Sequence, residues 1–187
     1  MEEKPISRRD VIIVGLGGMG VLMIGQILSC AALREFKHVS WLPSYATEKR
    51  GGLCECTVIF SNEDIASPII DRAQTVMVLD AAQLETFESR VRPDGIILAE
   101  NLGLQDEKEE KDYKLFRIPG VEAAINLGKI QVSNLIMLGA YVAVTKAIPQ
   151  QLVEEELERR FTDSGSVLEQ NQRAFRQGLE LGRNVKK

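Results

Sequence analysis

The chain has 187 residues, of which 44% are hydrophobic and 27% are charged. This size and composition are typical of one globular domain with a substantial core. A net charge of -4 gives no electrostatic basis for binding nucleic acid or an anionic membrane. No apolar run approaches the roughly 20 residues of a membrane-spanning helix, and the first residues lack the pattern of a signal peptide. We therefore expect a single domain over residues 1–187, located in the cytoplasm.

Three cysteines and one histidine limit the metal and nucleophile chemistry open to the chain. Cys54 and Cys56 lie two residues apart in a strand-like run, so both side chains point to one face. They could form half of a metal or cluster site. Free cysteine, however, packs as a small apolar residue, and no CxxC pair or histidine is nearby. We therefore predict buried cysteines, no bound metal, and no catalysis centred on His38.

The first 120 residues alternate between predicted strands and predicted helices. Asp80 follows one of the strands and can cap the next helix. Pro43 is expected to end a strand, and residues 92–95 are expected to form a turn. The pattern indicates an α/β fold, a three-layer, Rossmann-like, mostly parallel sheet. The predicted strands are 10–15, 39–42, 53–60, 73–79, 96–99 and 115–118, and the helices are 18–36 and 81–90.

The last third of the chain is predicted to be helical. It follows residues 105–114, a charge run that we interpret as a solvated loop or exposed hairpin. We expect these C-terminal helices to pack on the sheet or on a partner. They are predicted at 121–127, ended by Gly128; at 135–147, capped by Ser133 and Asn134; at 150–161, opened by Pro149; and from Ser164 or Ser166 to about Arg183.

A glycine-rich turn follows the first predicted strand. Its glycines have the G-x-G-x-x-G spacing of dinucleotide-binding sites, in the strand–turn–helix setting that such sites need. Glycine permits a tight turn and a close backbone approach, and free N–H groups at a helix start attract an anion. The glycines are Gly15, Gly17, Gly18 and Gly20.

The acidic partner of a dinucleotide site is missing. A dinucleotide-binding domain places an acidic residue at the end of its second strand, where it holds a ribose hydroxyl. Residues 41–44 read Trp-Leu-Pro-Ser, and Glu35 lies before that strand. We therefore interpret the glycine turn as a scaffold for strand–helix packing, or as a site for an anion from another molecule. A stand-alone NAD or FAD domain remains the alternative.

A second glycine-containing loop follows the second predicted strand. It leaves the carboxyl end of a parallel strand, where α/β proteins bind ligands and partners. Adjacent cations with free backbone donors suit a carboxylate or a phosphate. A solvated charged surface is the alternative. The candidate site residues of this loop are Ser44, Tyr45, Glu48, Lys49, Arg50, Gly51 and Gly52.

Three segments together resemble the gamma subunit of 2-oxoacid:ferredoxin oxidoreductases. They are the glycine turn with Val21, Gly25 and Ala31-Ala32 on its helix; the Pro-Ser-Tyr-x-x-Glu-x-Arg-Gly-Gly loop at 43–52 with a cysteine-containing strand after it; and the Asn-Leu-Ile-Met-Leu-Gly-Ala segment at 134–140. The resemblance covers about residues 8–183. Met19 and Ala46 depart from it, since we expect glutamine and glycine at these positions.

The resemblance implies one subunit of a complex rather than a complete enzyme. Such complexes oxidatively decarboxylate a 2-oxoacid with coenzyme A and pass electrons to ferredoxin. By this resemblance the thiamine diphosphate, Mg and [4Fe–4S] clusters belong to alpha-, beta- and delta-type subunits, and none of them to this chain alone. The second loop is more similar to 2-oxoglutarate or branched-chain members than to the indolepyruvate type.

The resemblance also implies roles for the second loop, although no catalytic residue. Lys49 and Arg50 would position the anionic 2-oxoacid or coenzyme A beside the thiamine-bearing subunits, and Glu48 would orient Arg50. A purely structural subunit is a further alternative. We expect the isolated chain to expose an apolar patch where partners dock, to be able to form homodimers, and to oxidise no 2-oxoacid by itself.

Overall fold

The computed structural model describes residues 8–45, 51–105 and 111–185. These residues form one six-stranded sheet with helices on both faces. The strands are β1 (Arg8–Leu16), β2 (His38–Tyr45), β3 (Leu53–Ser61), β4 (Ala73–Val78), β5 (Val91–Glu100) and β6 (Lys114–Ile118). Their spatial order is β2-β3-β1-β4-β5-β6.

The sheet is mostly parallel, as the sequence predicts. β1 pairs in parallel with β4, β4 with β5, and β5 with β6. Only β3 runs the other way, antiparallel to both of its neighbours. The physical reason is its short connection to β2, because a parallel crossover needs a dozen or more residues.

The two faces of β1 belong to two separate core clusters. Val11 and Ile13 face one cluster, and Ile12 and Val14 face the other. The first cluster is covered by α1 (Val21–Ala32), α3 (Gly120–Asn126), α4 (Ser133–Thr145), α5 (Gln150–Phe161) and α6 (Gly165–Asn184). The second is covered by short helical turns within residues 81–90. These layers confirm the predicted three-layer α/β fold.

The C-terminal helices pack on the sheet and on each other through glycine. In α4 and α6 the two backbones touch, and a Cβ at Gly178 would collide with the carbonyl oxygen of Ile136. Gly139 on α4 meets the backbone of Phe175 in the same way. Glycine is required here because any side chain would separate the helices. None of the described helices has both the length and the apolar character needed to cross a membrane.

The predicted element boundaries are wrong in four respects. Helix α1 begins at Val21 rather than 18, because Gly18 and Gly20 have φ of 100° and 79°, which no helix accommodates. Pro43 lies within β2, and β2 tolerates it because an edge strand has one unpaired side. Residues 92–95 lie inside β5 instead of forming a turn. At these residues the pairing with β4 shifts register, and Asp94 has φ of 60°.

The fourth concerns helix starts and continuity. The predicted helix 81–90 is divided into a 3₁₀ turn (Ala81–Gln83), α2 (Leu84–Phe87) and another 3₁₀ turn (Glu88–Arg90). Ser133 and Asn134 lie inside α4, which a 3₁₀ turn (Ile130–Val132) leads into, so they do not cap it. A backbone that turns continuously from 3₁₀ into α supplies its own first hydrogen bonds. Residues 106–110 of the charge run lie outside the described residues.

Candidate functional site at the carboxyl edge of the sheet

The sheet reverses its strand order at β1, and this reversal marks the candidate site. From β1 the chain crosses through α1 to β2 on one side, whereas β4, β5 and β6 lie on the other. In such sheets, ligands bind outside the carboxyl ends of the strands at the switch point. Here that point lies between the glycine turn after β1 and Leu79-Asp80 after β4. We call this end of the sheet the carboxyl edge.

The glycine turn is tight and uses its glycines for conformation. The Met19 N–H donates to the Leu16 carbonyl at 3.1 Å, which closes the turn. The Leu16 N–H donates to the Met19 sulfur at 3.3 Å. Gly20 begins α1 from the left-handed region and has no side-chain cap. At Gly15 the restriction is packing, since a Cβ would lie 3.1 Å from Val21 Cγ2 and 3.2 Å from Leu79 Cβ.

The glycine turn and the second loop are joined by a backbone hydrogen bond. The Gly17 N–H donates to the Gly52 carbonyl oxygen at 2.9 Å. Gly51 has φ of 76°, a conformation that favours glycine. β3 begins at Leu53, opposite Leu16 at the end of β1. The structure therefore brings the glycine turn together with the glycine-closed end of the second loop.

The cationic part of the second loop is not described. Glu48, Lys49 and Arg50 lie outside the described residues, so their predicted roles stay predictions. Ser44 is exposed in β2, opposite Glu55 of β3. Tyr45 is the last residue of β2. The loop thus leaves and re-enters the sheet at the carboxyl edge.

Asn134 packs against the glycine turn, a contact that sequence reasoning missed. Its side chain is buried, with 3% exposure, and its Oδ1 accepts a hydrogen bond from the Leu135 N–H at 2.7 Å. A Cβ at Gly20 would collide with the Asn134 Nδ2. The first residues of α4 therefore brace the start of α1. Both residues lie in segments that carry the family resemblance, and this was the signal available in the sequence.

We expect Gly20→Ala to destabilise the protein more than Gly18→Ala. Both variants place alanine at a positive φ, which costs about 1 kcal/mol. Only the Gly20 variant also displaces the buried Asn134 amide, because nothing lies within 4 Å of a Cβ at Gly18. The total for Gly20→Ala should be about 2 kcal/mol. Urea unfolding of both variants measures the two losses of stability. Equal losses would show that the Asn134 side chain moves aside at no cost in free energy.

Two carboxylates occupy the carboxyl edge, and both are engaged by backbone. Asp80 accepts from the Ala82 N–H at 3.3 Å, which confirms the predicted cap. Glu100 ends β5 and is 3% exposed; it accepts from the N–H groups of Leu102 and Val121, each at 2.9 Å. Burial raises the pKa of Glu100. Sequence analysis missed Glu100, although an acid directly after an apolar strand was a detectable signal.

Cys54 and Cys56 are packing residues, as predicted. They are 8% and 0% exposed, and burial raises the pKa of the Cys56 thiol to about 12. The Cys56 sulfur touches the backbone of α1 so closely that a Cβ at Gly25 would collide with it. Across the described ranges, no three His, Cys, Asp or Glu side chains are grouped to hold a metal ion.

The family model described as pyruvate ferredoxin/flavodoxin oxidoreductase matches residues 10–181. The chain belongs to this family. The family resemblance that the two loops and the α4 segment carry is therefore confirmed. Relatives of this oxidoreductase chain include the gamma subunit shared by the pyruvate and ketoisovalerate oxidoreductases of Pyrococcus furiosus, which is 27% identical over 173 residues.

Two further relatives carry names with different substrates. Ketoisovalerate oxidoreductase subunit VorA of Methanothermobacter thermautotrophicus is 30% identical over 174 residues, which are 92% of this chain and 36% of VorA. The 2-oxoglutarate synthase subunit KorC of Methanocaldococcus jannaschii is 28% identical over 183 residues, 95% of this chain and 96% of KorC. The chain thus spans about a third of VorA and nearly all of KorC.

Solved structures share the fold. The pyruvate oxidoreductase subunit PORC of Thermotoga maritima superposes with a TM-score of 0.80 at 26% identity, covering 97% of this chain and 98% of PORC. The 2-oxoglutarate:ferredoxin oxidoreductase of Magnetococcus marinus superposes with a TM-score of 0.89 at 21% identity. The match covers 99% of this chain and 32% of the Magnetococcus chain. At that identity the second likeness shows the fold alone.

The stand-alone dinucleotide domain is not favoured for this family member. No acidic residue lies in β2, whose sequence is HVSWLPSY. Glu35 precedes β2, and the first residue of β2, His38, pairs with Ser61 at the end of the sheet where β1 begins. Glu35 therefore lies at the opposite edge from the glycine turn and could not hold a ribose beside it.

Proposed function

We propose that the chain is the gamma subunit of a complex that oxidatively decarboxylates a 2-oxoacid with coenzyme A and transfers electrons to ferredoxin. Its partners would be alpha-, beta- and delta-type subunits, which carry the thiamine diphosphate, Mg and [4Fe–4S] clusters. This chain alone binds no cofactor in the proposal and supplies no catalytic residue. Its contribution is the second loop, presented at the carboxyl edge.

One observation carries the proposal: the hydrogen bond from the Gly17 N–H to the Gly52 carbonyl oxygen. It fixes the base of the 43–52 loop to the turn after the central strand β1, at the switch point where α/β sheets receive ligands. A loop held at its base suits the role that the proposal gives to Lys49 and Arg50. Two adjacent cations suit the carboxylate of a 2-oxoacid or the phosphates of coenzyme A.

The substrate that we propose is 2-oxoglutarate or a branched-chain 2-oxoacid. The names of similar proteins support this choice, because 2-oxoglutarate synthase and ketoisovalerate oxidoreductase subunits both align over more than nine tenths of the chain. A Thermotoga maritima pyruvate synthase subunit also aligns, at 27% identity over 173 residues. The second loop is also more similar to 2-oxoglutarate and branched-chain members than to the indolepyruvate type, and pyruvate is the alternative substrate.

Exposed apolar side chains at the carboxyl edge support docking of the partner subunits there. Leu53, Leu102 and Ile130 are 38%, 67% and 51% exposed. Leu53 opens β3 beside the glycine turn, Leu102 follows β5, and Ile130 leads into α4. Exposed leucine and isoleucine around a polar loop are typical of a protein–protein interface. Isolated chains could pair through the same residues as homodimers.

Replacing Arg50 with alanine in the full complex tests the proposal. Loss of a charged hydrogen bond of about 1.5–3 kcal/mol should raise the KM for the 2-oxoacid or coenzyme A about tenfold to a hundredfold. Steady-state kinetics with each substrate varied in turn would show which one Arg50 contacts. Arg176→Ala is the matched control, since this exposed arginine pairs with Glu154 on the helical side of the molecule; it should leave both KM values unchanged.

The results distinguish three hypotheses: a second loop that acts on the substrate, a purely structural subunit, and a stand-alone dinucleotide domain. Wild-type turnover, affinity and assembly in Arg50→Ala would refute the role given to the loop. Loss of assembly with unchanged turnover in the remaining complex would favour a purely structural subunit. Micromolar binding of NAD or FAD to the isolated chain by calorimetry, or coenzyme-A-dependent oxidation without other subunits, would overturn the subunit proposal itself.

A further inference from the structure

A cavity of about 290 Å³ lies at the opposite end of the sheet, where β1, β4 and β5 begin. We call it the amino-edge cavity. It is bounded by the second half of α4 and lies about 26 Å from the glycine turn, the length of a nine-residue strand such as β1. Its polar lining includes Arg9, Asp10, Gln74, Arg92, Asp94 and Tyr141.

Arg9 is the unusual residue of this cavity. It is half-buried, and its Nε is shielded from solvent without a hydrogen-bond partner among the described residues. No carboxylate of residues 8–45, 51–105 or 111–185 lies within ion-pair distance of it, whereas its neighbour Arg8 pairs with Asp10. A donor that is shielded from solvent and has no hydrogen-bond partner indicates a missing partner.

Two acids line the cavity, Asp10 and Asp94, and neither forms an ion pair with Arg9 in the part of the chain that the structure describes. Asp10, 1% exposed, accepts from the Gln74 N–H at 2.6 Å and from the Arg92 guanidinium at 2.9 Å. Both of its oxygens are therefore occupied by donors from β4 and β5. Because no described acid pairs with Arg9, its positive charge can attract an anion within the cavity.

Tyr141 supplies a second donor beside Arg9. Its side chain is 1% exposed. Burial raises the pKa of Tyr141; the charge of Arg9 and a hydrogen bond with Thr145 act against that rise, and the charge of Asp10 adds to it. The phenol therefore keeps its proton at neutral pH and can donate it in a hydrogen bond. A guanidinium and a phenol together match the oxygens of a carboxylate or a phosphate.

We propose that the amino-edge cavity binds a small oxyanion, a carboxylate or a phosphate, through Arg9 and Tyr141. Its size limits the ligand, because pockets for drug-sized molecules begin at about 300 Å³. A dinucleotide or a whole coenzyme A would not fit. The apolar walls beside Arg9, from Ile96, Val144 and Ala147, favour a short organic acid over inorganic phosphate. The proposal is independent of the proposed function, since the two sites lie at opposite edges.

Calorimetry of the full chain at constant ionic strength tests this site, with inorganic phosphate, butyrate and succinate as the probes. We expect binding of at least one probe, weakened about tenfold or more in Arg9→Met and less in Tyr141→Phe. At a hundred times its Kd, that probe should raise the wild-type Tm by about 5 °C or more. Binding by butyrate or succinate alone identifies an organic acid, and binding by phosphate alone identifies a phosphate ligand.

Two controls keep the test decisive. Arg176→Met removes an exposed, paired arginine of α6 and should leave probe binding unchanged. Without a probe, Arg9→Met should keep or raise the Tm, because methionine removes an unpaired, partly buried charge. No binding of any probe to the wild-type chain would overturn the proposal. Equal probe binding by Arg9→Met and the wild-type chain would also overturn it. If Arg9→Met instead lowers the Tm, probe binding by Tyr141→Phe at wild-type strength would overturn the proposal.

Discussion

Gly178→Ala is expected to lower the free energy of unfolding by about 4 kcal/mol, more than ordinary overpacking costs. The added Cβ would meet the backbone of Ile136 rather than a side chain that could rotate away. Relief requires α6 to move from α4, and α4 packs directly on the sheet through Met137 and other buried residues. The Tm should fall by about 8–16 °C in a domain of this size.

Gly165→Ala is the matched control on the same helix. It lies at the first residue of α6, and nothing is within 4 Å of its Cβ. Alanine has the better helix propensity, so this variant should match or exceed wild-type stability, by up to about 1 kcal/mol. Thermal unfolding followed by circular dichroism compares the two. Similar Tm values for both variants would mean that α4 and α6 are not in backbone contact.

Glu100→Ala should have the second largest effect, a loss of about 3 kcal/mol. The carboxylate joins the end of β5 to the start of α3 by accepting from the N–H groups of Leu102 and Val121. Removing it leaves both donors without partners, at about 1–3 kcal/mol each. Chemical denaturation should show this loss with little change in m-value. Glu122→Ala, an exposed acid in the first turn of the same helix, should change stability by less than about 0.5–1 kcal/mol.

The loss at Glu100 should also depend on pH. Burial raises the pKa of Glu100 above its usual range, so the folded state binds the proton more tightly than the unfolded state does. The stability that Glu100 contributes is then complete below the usual carboxyl pKa and falls as the pH rises through the raised value. The difference between wild type and Glu100→Ala should therefore narrow with rising pH. A difference that widens would mean that the backbone hydrogen bonds to Glu100 outweigh burial.

Much of the sheet could be predicted because its strands carry their own signal. The run Val11–Val14 is apolar on both faces, and such a run suits only a strand covered on both sides. The predicted strand ends that proved wrong are those that depend on the neighbouring strands. Pro43 stays in β2 because β2 lies at the edge, and residues 92–95 stay in β5 because β4 continues to pair with that strand across a register shift.

The candidate site could likewise be predicted only where its residues form a local pattern. Gly20 and the second loop stood out because glycine spacing is visible in the sequence. The hydrogen bond between Gly17 and Gly52, the contact of Asn134 with Gly20, and the position of Glu100 were not visible. Each joins residues far apart in the chain, and no local pattern encodes which loops meet.

The sequence by itself determined the α/β class, the glycine turn, the buried cysteines and the family, because each depends on local spacing or composition. Only the tertiary structure decided that β3 runs antiparallel, that the switch point lies between β1 and β4, and that Arg9 has no ion-pair partner among the described residues. These three features depend on the order of the strands in the sheet and on which segments lie next to each other. Packing of distant segments sets both, and packing is a property of the whole chain rather than of any stretch within it.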